Sequence, residues 1–224
     1  MPGWPEDAKL LTDRAPHVQV GLHLVLCDEV PLGGMPNTLI DGRLPSTGLL
    51  TSRALSRKLD STELADEIER QFAAFNAAMG RPPDFVDAHK HCHLLPTLRS
   101  LVLDATAKHA PGAWVRSCGD RFSSLMARPF RWKALGSAFW SFRFRAAARR
   151  RGLITNDSFA GHYDYKRAFA PLLLRFLTPA GTFHLIMCHP GEGYEPDDPI
   201  AEAREKEYKE LMVLHMANST LAGM

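Results

Sequence analysis

An α/β fold built on parallel strands is predicted for this 224-residue chain by three features. Strand-like apolar segments alternate with helix-like ones along the chain, the order that parallel sheets require. Thr182 to Cys188 is a near-continuous apolar run of the kind a strand buried on both faces shows. Three predicted strands also run into a histidine, His23, His89 and His189, and active-site groups gather at the carboxyl ends of parallel strands whether the sheet is open or closed into a barrel.

Each element rests on its own pattern. From His17 to Leu26, Val18, Val20, Leu22, Leu24 and Leu26 alternate with His17, Gln19, Gly21 and His23, which predicts a strand. Cys27 to Leu50 is rich in Gly and Pro and reads as a long loop, a feature often tied to function. Asp60-Ser61-Thr62-Glu63 supplies helix-capping groups; Leu64, Ile68, Phe72, Phe75 and Met79 then recur at helical spacing until Gly80 and Pro82-Pro83 end the helix. Asp84 to Ala88 reads as a short strand leading into His89-Lys90-His91-Cys92-His93. Pro96 then opens a helix using Leu98, Leu101, Val102 and Ala105. Ala113 to Arg116 is a further short strand, and Arg116 at its end is a candidate substrate contact.

Composition bounds the remainder. The length suits one domain over residues 1–224. Its 45% apolar and 23% charged residues are ordinary for a globular chain, and a net charge of +2 gives no general attraction to nucleic acid. The cysteines at 27, 92, 118 and 188 form no C-x-x-C pair, which reads as free thiols in a reducing, cytoplasmic setting. Met1 to Pro5 lacks the features of a secretory signal, and no run of eighteen apolar residues occurs. A G-x-S-x-G elbow, a P-loop and a G-x-G-x-x-G turn after a strand are all missing, so serine hydrolase, NTPase and dinucleotide chemistry are disfavoured. Hydrolysis by metal-activated water remains.

Three histidines in five residues after a strand offer the neutral nitrogen donors a borderline divalent metal takes. Alternate residues of a strand end face opposite ways, so at most two of His89, His91 and His93 converge there, and any of them could instead be a hydrogen-bonded structural residue. His23 alone would be read as structural, but it coincides with two other histidine-bearing strand ends. His189, followed by Pro190-Gly191, is placed to move a proton near neutral pH, or to cap the turn.

Val20-Gly21-Leu22-His23-Leu24-Val25-Leu26, Val86-Asp87-Ala88-His89-Lys90-His91-Cys92-His93-Leu94-Leu95-Pro96 and Met187-Cys188-His189-Pro190-Gly191 resemble, in order and spacing, the YdjC-like (ChbG/HpnK) carbohydrate deacetylases. Weaker echoes are Thr155 to Gly161 and Ala203 to Tyr208. The resemblance implies a TIM-barrel-like parallel barrel that hydrolyses the N-acetyl group of an amino sugar to a free amine and acetate. It implies a divalent metal, Mg or Zn, held by His23 and His89, with His93 a weaker candidate ligand. It further implies His189 as general acid for the leaving amine and Asp87 as the carboxylate that orients a ligand imidazole. Members of the family open on an Ala-Asp-Asp-Phe-Gly strand whose aspartates supply the base and the third ligand. That motif is not among these residues, so the resemblance implies a missing first strand and helix, roughly 30 residues at ordinary element lengths. The alternative is an inactive sugar- or metal-binding remnant.

Residues 121–151 carry nine basic residues and no acid, interleaved with Phe130, Trp132, Phe139, Trp140, Phe142 and Phe144. Such an insertion either packs its aromatics in a helical excursion or lies on an anionic membrane at the inner membrane face. The soluble branch of the resembled family acts on chitooligosaccharides and another branch is associated with hopanoid lipids, so the expected partner is an N-acetylated sugar or glycolipid. No nucleic-acid module accompanies the basic stretch, and a homodimer stays open.

Overall fold

Leu22 and Leu24 turn inward while His23 faces out, and this period-two pattern forms β1 (Leu22–Leu24). The computed structural model describes residues 4–120, 131–178, 181–193 and 198–222. The strand is shorter than the predicted His17 to Leu26, because the Val18 N–H donates to the Ala15 carbonyl in a turn that leaves Val18 45% exposed. The chain divides into two compact units, residues 1–117 with 139–156, and residues 118–138 with 157–224.

In the first unit, β1 pairs with β2 (Phe85–Ala88), β2 with β3 (Trp114–Val115) and β3 with β4 (Ile154–Thr155), every pair parallel. The register sets Leu22 beside Val86, His23 beside Asp87 and Leu24 beside Ala88. Gly21 permits this approach: a Cβ there would fall 2.3 Å from the Phe85 ring, which is itself stacked on Trp114 with centroids 4.7 Å apart.

Helices pack around this sheet. The first, α1 (Trp4–Arg14), was not foreseen from the pattern; it carries Glu6 and Asp7 in its first turn and stacks Trp4 on Phe75. The next, α2 (Thr47–Leu55), starts inside the expected loop because the Ser46 side chain accepts the Leu49 N–H as its N-cap. As predicted, α3 (Ser61–Met79) is capped by Asp60, which accepts from the N–H groups of Thr62 and Glu63, and it ends at Gly80 in the left-handed conformation with φ 66°. Its Leu64, Ile68, Phe72 and Phe75 are buried, as are Leu98, Val102 and Leu103 of α4 (Leu98–His109). Among the described side chains of α5 (Arg131–Arg149), Phe144 is buried, whereas Phe139 and Phe142 are exposed. The expected insertion at 121–151 is thus seen from 139 onward at side-chain level; residues 121–130 lie outside the described residues.

The polar side of α3 is not solvated. Gln71 pairs with both backbone groups of Val25, accepting its N–H at 2.9 Å and donating to its carbonyl at 2.8 Å. Glu67, with no exposed surface, accepts from the Leu32 N–H, from Arg70 Nε and from Gln71 Nε2. Glu63 accepts from the Asn37 N–H and the Thr38 hydroxyl. Spaced four apart, the three share one helix face, and together they fix the irregular chain that follows β1.

The second unit pairs β5 (Ser158–Ala160) in parallel with β6 (His184–Ile186). Phe169, Leu172, Leu173 and Phe176 of α6 (Phe169–Phe176) bury with Tyr163 and Ala160, against Ile186, Cys188 and Leu211, the last on α7 (Ala201–Ala222). The strand β6 is half-buried rather than wholly enclosed as its apolar run implied. Gly161, at φ 118°, lets the chain pass the Met187 carbonyl, which would sit 2.3 Å from a Cβ. All named strand pairs among the described residues are parallel, so the fold is α/β as predicted. The four cysteines are free, three of them buried, and no helix among the described residues is long and apolar enough to cross a membrane.

Candidate functional site

Parallel register brings His23 of β1 beside Asp87 of β2, and the His23 Nδ1–H donates to Asp87 Oδ1 at 2.6 Å. That hydrogen bond selects the tautomer whose Nε2 carries the lone pair. The other carboxylate oxygen of Asp87 meets Arg116 Nη1 at 2.8 Å, and Arg116 Nη2 donates to the Ala88 carbonyl at 2.7 Å. Burial pushes the Asp87 carboxyl upward, but the His23 hydrogen bond and the Arg116 charge outweigh it and hold the group below the usual carboxylate range. Asp87 is therefore an anion that orients one imidazole while anchored by a buried cation.

His89, the first residue after β2, presents its ring edge-on to His23, with centroids 5.9 Å apart and planes at 81°. Burial, then the neighbouring His23 and Lys90, lower its pKa, so the ring stays neutral and keeps a nitrogen lone pair. The chain leaves extended geometry here. Residues His89–Leu94 form a 3-10 turn in which Lys90 and His91 take left-handed φ values of 48° and 59°. Non-glycine residues pay strain in that region, and the turn is held by Lys90 Nζ on Asp28 Oδ2 at 3.1 Å. Thr47 donates to the same oxygen at 2.5 Å. Burial raises the Asp28 pKa, yet the Thr47 and Lys90 hydrogen bonds bring it down to about 2.

The predicted site residues thus separate into groups. His23, His89 and Asp87 come together. His93 turns inward: it is fully buried, stands edge-on to Phe144 at 5.2 Å and donates from Nε2–H to the Arg116 carbonyl at 2.8 Å, while its Nδ1 has no hydrogen-bond partner among the described residues. Arg116, 5% exposed, spends its guanidinium on Asp87 and Ala88. His91 is half-buried. Among the described residues no group of three His, Cys, Asp or Glu side chains forms a complete metal site. Two imidazoles, one oriented by a carboxylate, nevertheless suit the donor chemistry of a zinc-like divalent ion.

His189 belongs to the second unit, three residues beyond β6. Its backbone N–H donates to Glu207 Oε2, its carbonyl accepts from Arg204 Nη1 at 3.4 Å, and its ring stands edge-on to Tyr165 at 5.6 Å. Arg204 and Glu207 lie within the Ala203 to Tyr208 stretch that echoes the resembled family, but sequence reasoning gave neither a role, because their partners on the loop after β6 are distant in sequence.

The model of the YdjC-like protein family matches residues 1–218. A chitooligosaccharide deacetylase of Serratia marcescens is 37% identical over 100 residues, 45% of this chain and 39% of that protein. A chitooligosaccharide deacetylase of Yersinia pestis (strain Pestoides F) is 41% identical over 92 residues, 41% of this chain and 36% of that protein. The matched stretch is thus well under half of either relative. In fold, the chain resembles an Enterococcus faecalis V583 crystal structure named for cellobiose-phosphate cleavage, with a TM-score of 0.67, 17% identity, and coverage of 92% of this chain and 74% of that one.

The buried His93 makes stability depend on pH in a stated direction. Burial, then the Arg116 charge, hold its pKa down to about 3 against an ordinary 6.5. The unfolded chain therefore takes up a proton that the folded chain refuses, and stability is lost as pH falls from 6.5 toward 3. His93→Leu should flatten the urea-unfolding free energy between pH 6.5 and 4.5 by up to about 1.4 kcal/mol per pH unit. Parallel curves for parent and variant would contradict this.

Proposed function

This chain belongs to the YdjC-like protein family, and from that membership we propose that it removes the N-acetyl group of an amino sugar at a divalent-metal centre. One water is consumed, and a free amine and acetate are released. The observation that carries the reading is the His23–Asp87–Arg116 chain, which leaves His23 Nε2 available beside the neutral His89 ring. His23 and His89 would hold the metal, with Asp87 fixing the orientation of the first imidazole. When bound, a Zn or Mg ion would supply Lewis acidity that polarises the water and the amide carbonyl.

The protein's own groups do the rest. His189 would deliver a proton to the departing nitrogen, so that an amine rather than an amide anion leaves. His93 and Arg116 support the centre from the interior, one by fixing the Arg116 backbone and the other by neutralising Asp87. The names of the Serratia and Yersinia relatives favour a chitooligosaccharide-like substrate for this chain as well.

The test is acetate release from N-acetylated chitooligosaccharides with added Mg²⁺ or Zn²⁺. His23→Ala, His89→Ala and His189→Ala should each lower the rate by about 100-fold or more. Metal binding with no acetate release would point instead to a binding protein without turnover.

A second reading concerns the substrate's setting. Phe139 and Phe142 are 65% and 79% exposed on the helix that also exposes Arg143 and Arg149. Burial, followed by the charges of Arg143, Arg150 and Arg151, lowers the Arg99 pKa, so these arginines form one basic cluster. Exposed aromatics beside clustered arginines suit an anionic membrane surface carrying a glycolipid substrate. The chain should co-sediment with phosphatidylglycerol vesicles and not with phosphatidylcholine vesicles, and a Phe139→Ser/Phe142→Ser variant should lose that binding. Equal behaviour toward both lipids would dismiss the reading.

A further inference from the structure

We infer that Glu207 and Arg204 of α7 are positioning residues for His189, an inference that rests on His189 taking part in the deacetylation proposed above. The helix grips the His189 backbone on both sides of its Cα: Glu207 accepts its N–H and Arg204 donates to its carbonyl. The next turn of the loop is tied to the same helix, the Gly191 N–H donating to the Arg204 carbonyl at 3.2 Å. Arg204 is in turn paired with Asp198.

The carboxylate is an expensive way to cap one N–H unless orientation matters. Glu207 has no exposed surface, and its other oxygen accepts the Tyr163 hydroxyl. Burying a carboxylate is strongly unfavourable unless its lone pairs are used, and here both oxygens accept hydrogen bonds. Burial raises the Glu207 pKa, and the hydrogen bonds from Tyr163 and His189, with the Arg204 charge, oppose that rise. The side on which the His189 ring rests is equally constrained. Tyr165 adopts a left-handed φ of 61° and packs against both the His189 and Tyr163 rings, and strain of this kind persists only where the surroundings over-determine it.

Hydrogen bonds to the two peptide groups that flank the His189 Cα leave χ1 and χ2 as the soft torsions between the scaffold and the imidazole. A proton donor must lie within hydrogen-bond reach of the leaving nitrogen, and a misplacement of about 1 Å can cost about 100-fold in rate. Glu207 and Arg204 act through His189, without touching the reacting atoms themselves.

Two measurements test this together, one independent of catalysis. Glu207→Ala should lower kcat by about 10- to 100-fold with KM within about twofold, and Glu207→Gln, which keeps an acceptor oxygen, should recover most of the loss. In a His189→Ala background, Glu207→Ala should cost less than about threefold more, because residues acting through one another are not additive. Arg204→Met should behave as Glu207→Ala does and serves in its place should that variant fail to fold. The second measurement is the ¹⁵N titration of the His189 ring without substrate, whose midpoint should move by about half a unit or more in Glu207→Ala. Equal losses in both backgrounds with an unmoved His189 titration would overturn the inference. A moved titration in a chain that releases no acetate would uphold the clamp while removing the deacetylase reading.

Discussion

The Asp87 carboxylate joins three adjacent parallel strands and is the contact on which the first unit's chemistry depends. One oxygen orients His23 on β1 and the other neutralises Arg116 after β3, whose guanidinium also holds the Ala88 carbonyl on β2. Only the in-step register of His23 with Asp87 makes this reachable, and that register in turn needs Gly21 to clear the Phe85 ring. Deleting one member of a buried ion pair typically costs about 3–5 kcal/mol, because the partner charge stays behind unpaired. The triad is thus part of the scaffold as much as of the site, which explains why His93 is placed to secure the Arg116 backbone from beneath.

The two units reach the same end by different means. In the first, the side chains of Glu63, Glu67 and Gln71 reach from α3 to pin the chain that follows β1, while Lys90 and Thr47 converge on Asp28. In the second, α7 holds the His189 peptide directly. Each arrangement restrains irregular backbone just past a strand with side-chain hydrogen bonds from elsewhere in the same unit. Irregular segments carry chemistry well when a rigid element positions them.

Patterns with a local cause were legible in the sequence. The α3 helix could be read with its boundaries, because Asp60 caps it, its apolar residues recur at helical spacing and Gly80 ends it. Strand β2 followed from its apolar pattern, and the nearness of His23, His89 and Asp87 was what the family resemblance implied. Patterns with a distant cause were not. His93 was the weaker candidate ligand, and with Lys90 and His91 turned left-handed it lies in the core; nothing in H-K-H-C-H distinguishes that from an extended end. Arg116 was assigned to substrate, yet a buried carboxylate 29 positions away claims it. Glu67, Gln71 and Glu207 look like solvent-facing positions on amphipathic helices, since their partners lie on segments far off in sequence.

The most direct measurement is a ¹⁵N spectrum of the His23 ring in the metal-free protein at neutral pH, repeated after adding one equivalent of Zn²⁺. Asp87 should hold the ring as the Nδ1–H tautomer, and zinc should shift the Nε2 resonance of His23 and a ring nitrogen of His89. A His23 ring protonated at Nε2, or resonances that ignore zinc, would contradict the claim that Asp87 prepares this histidine as a metal ligand.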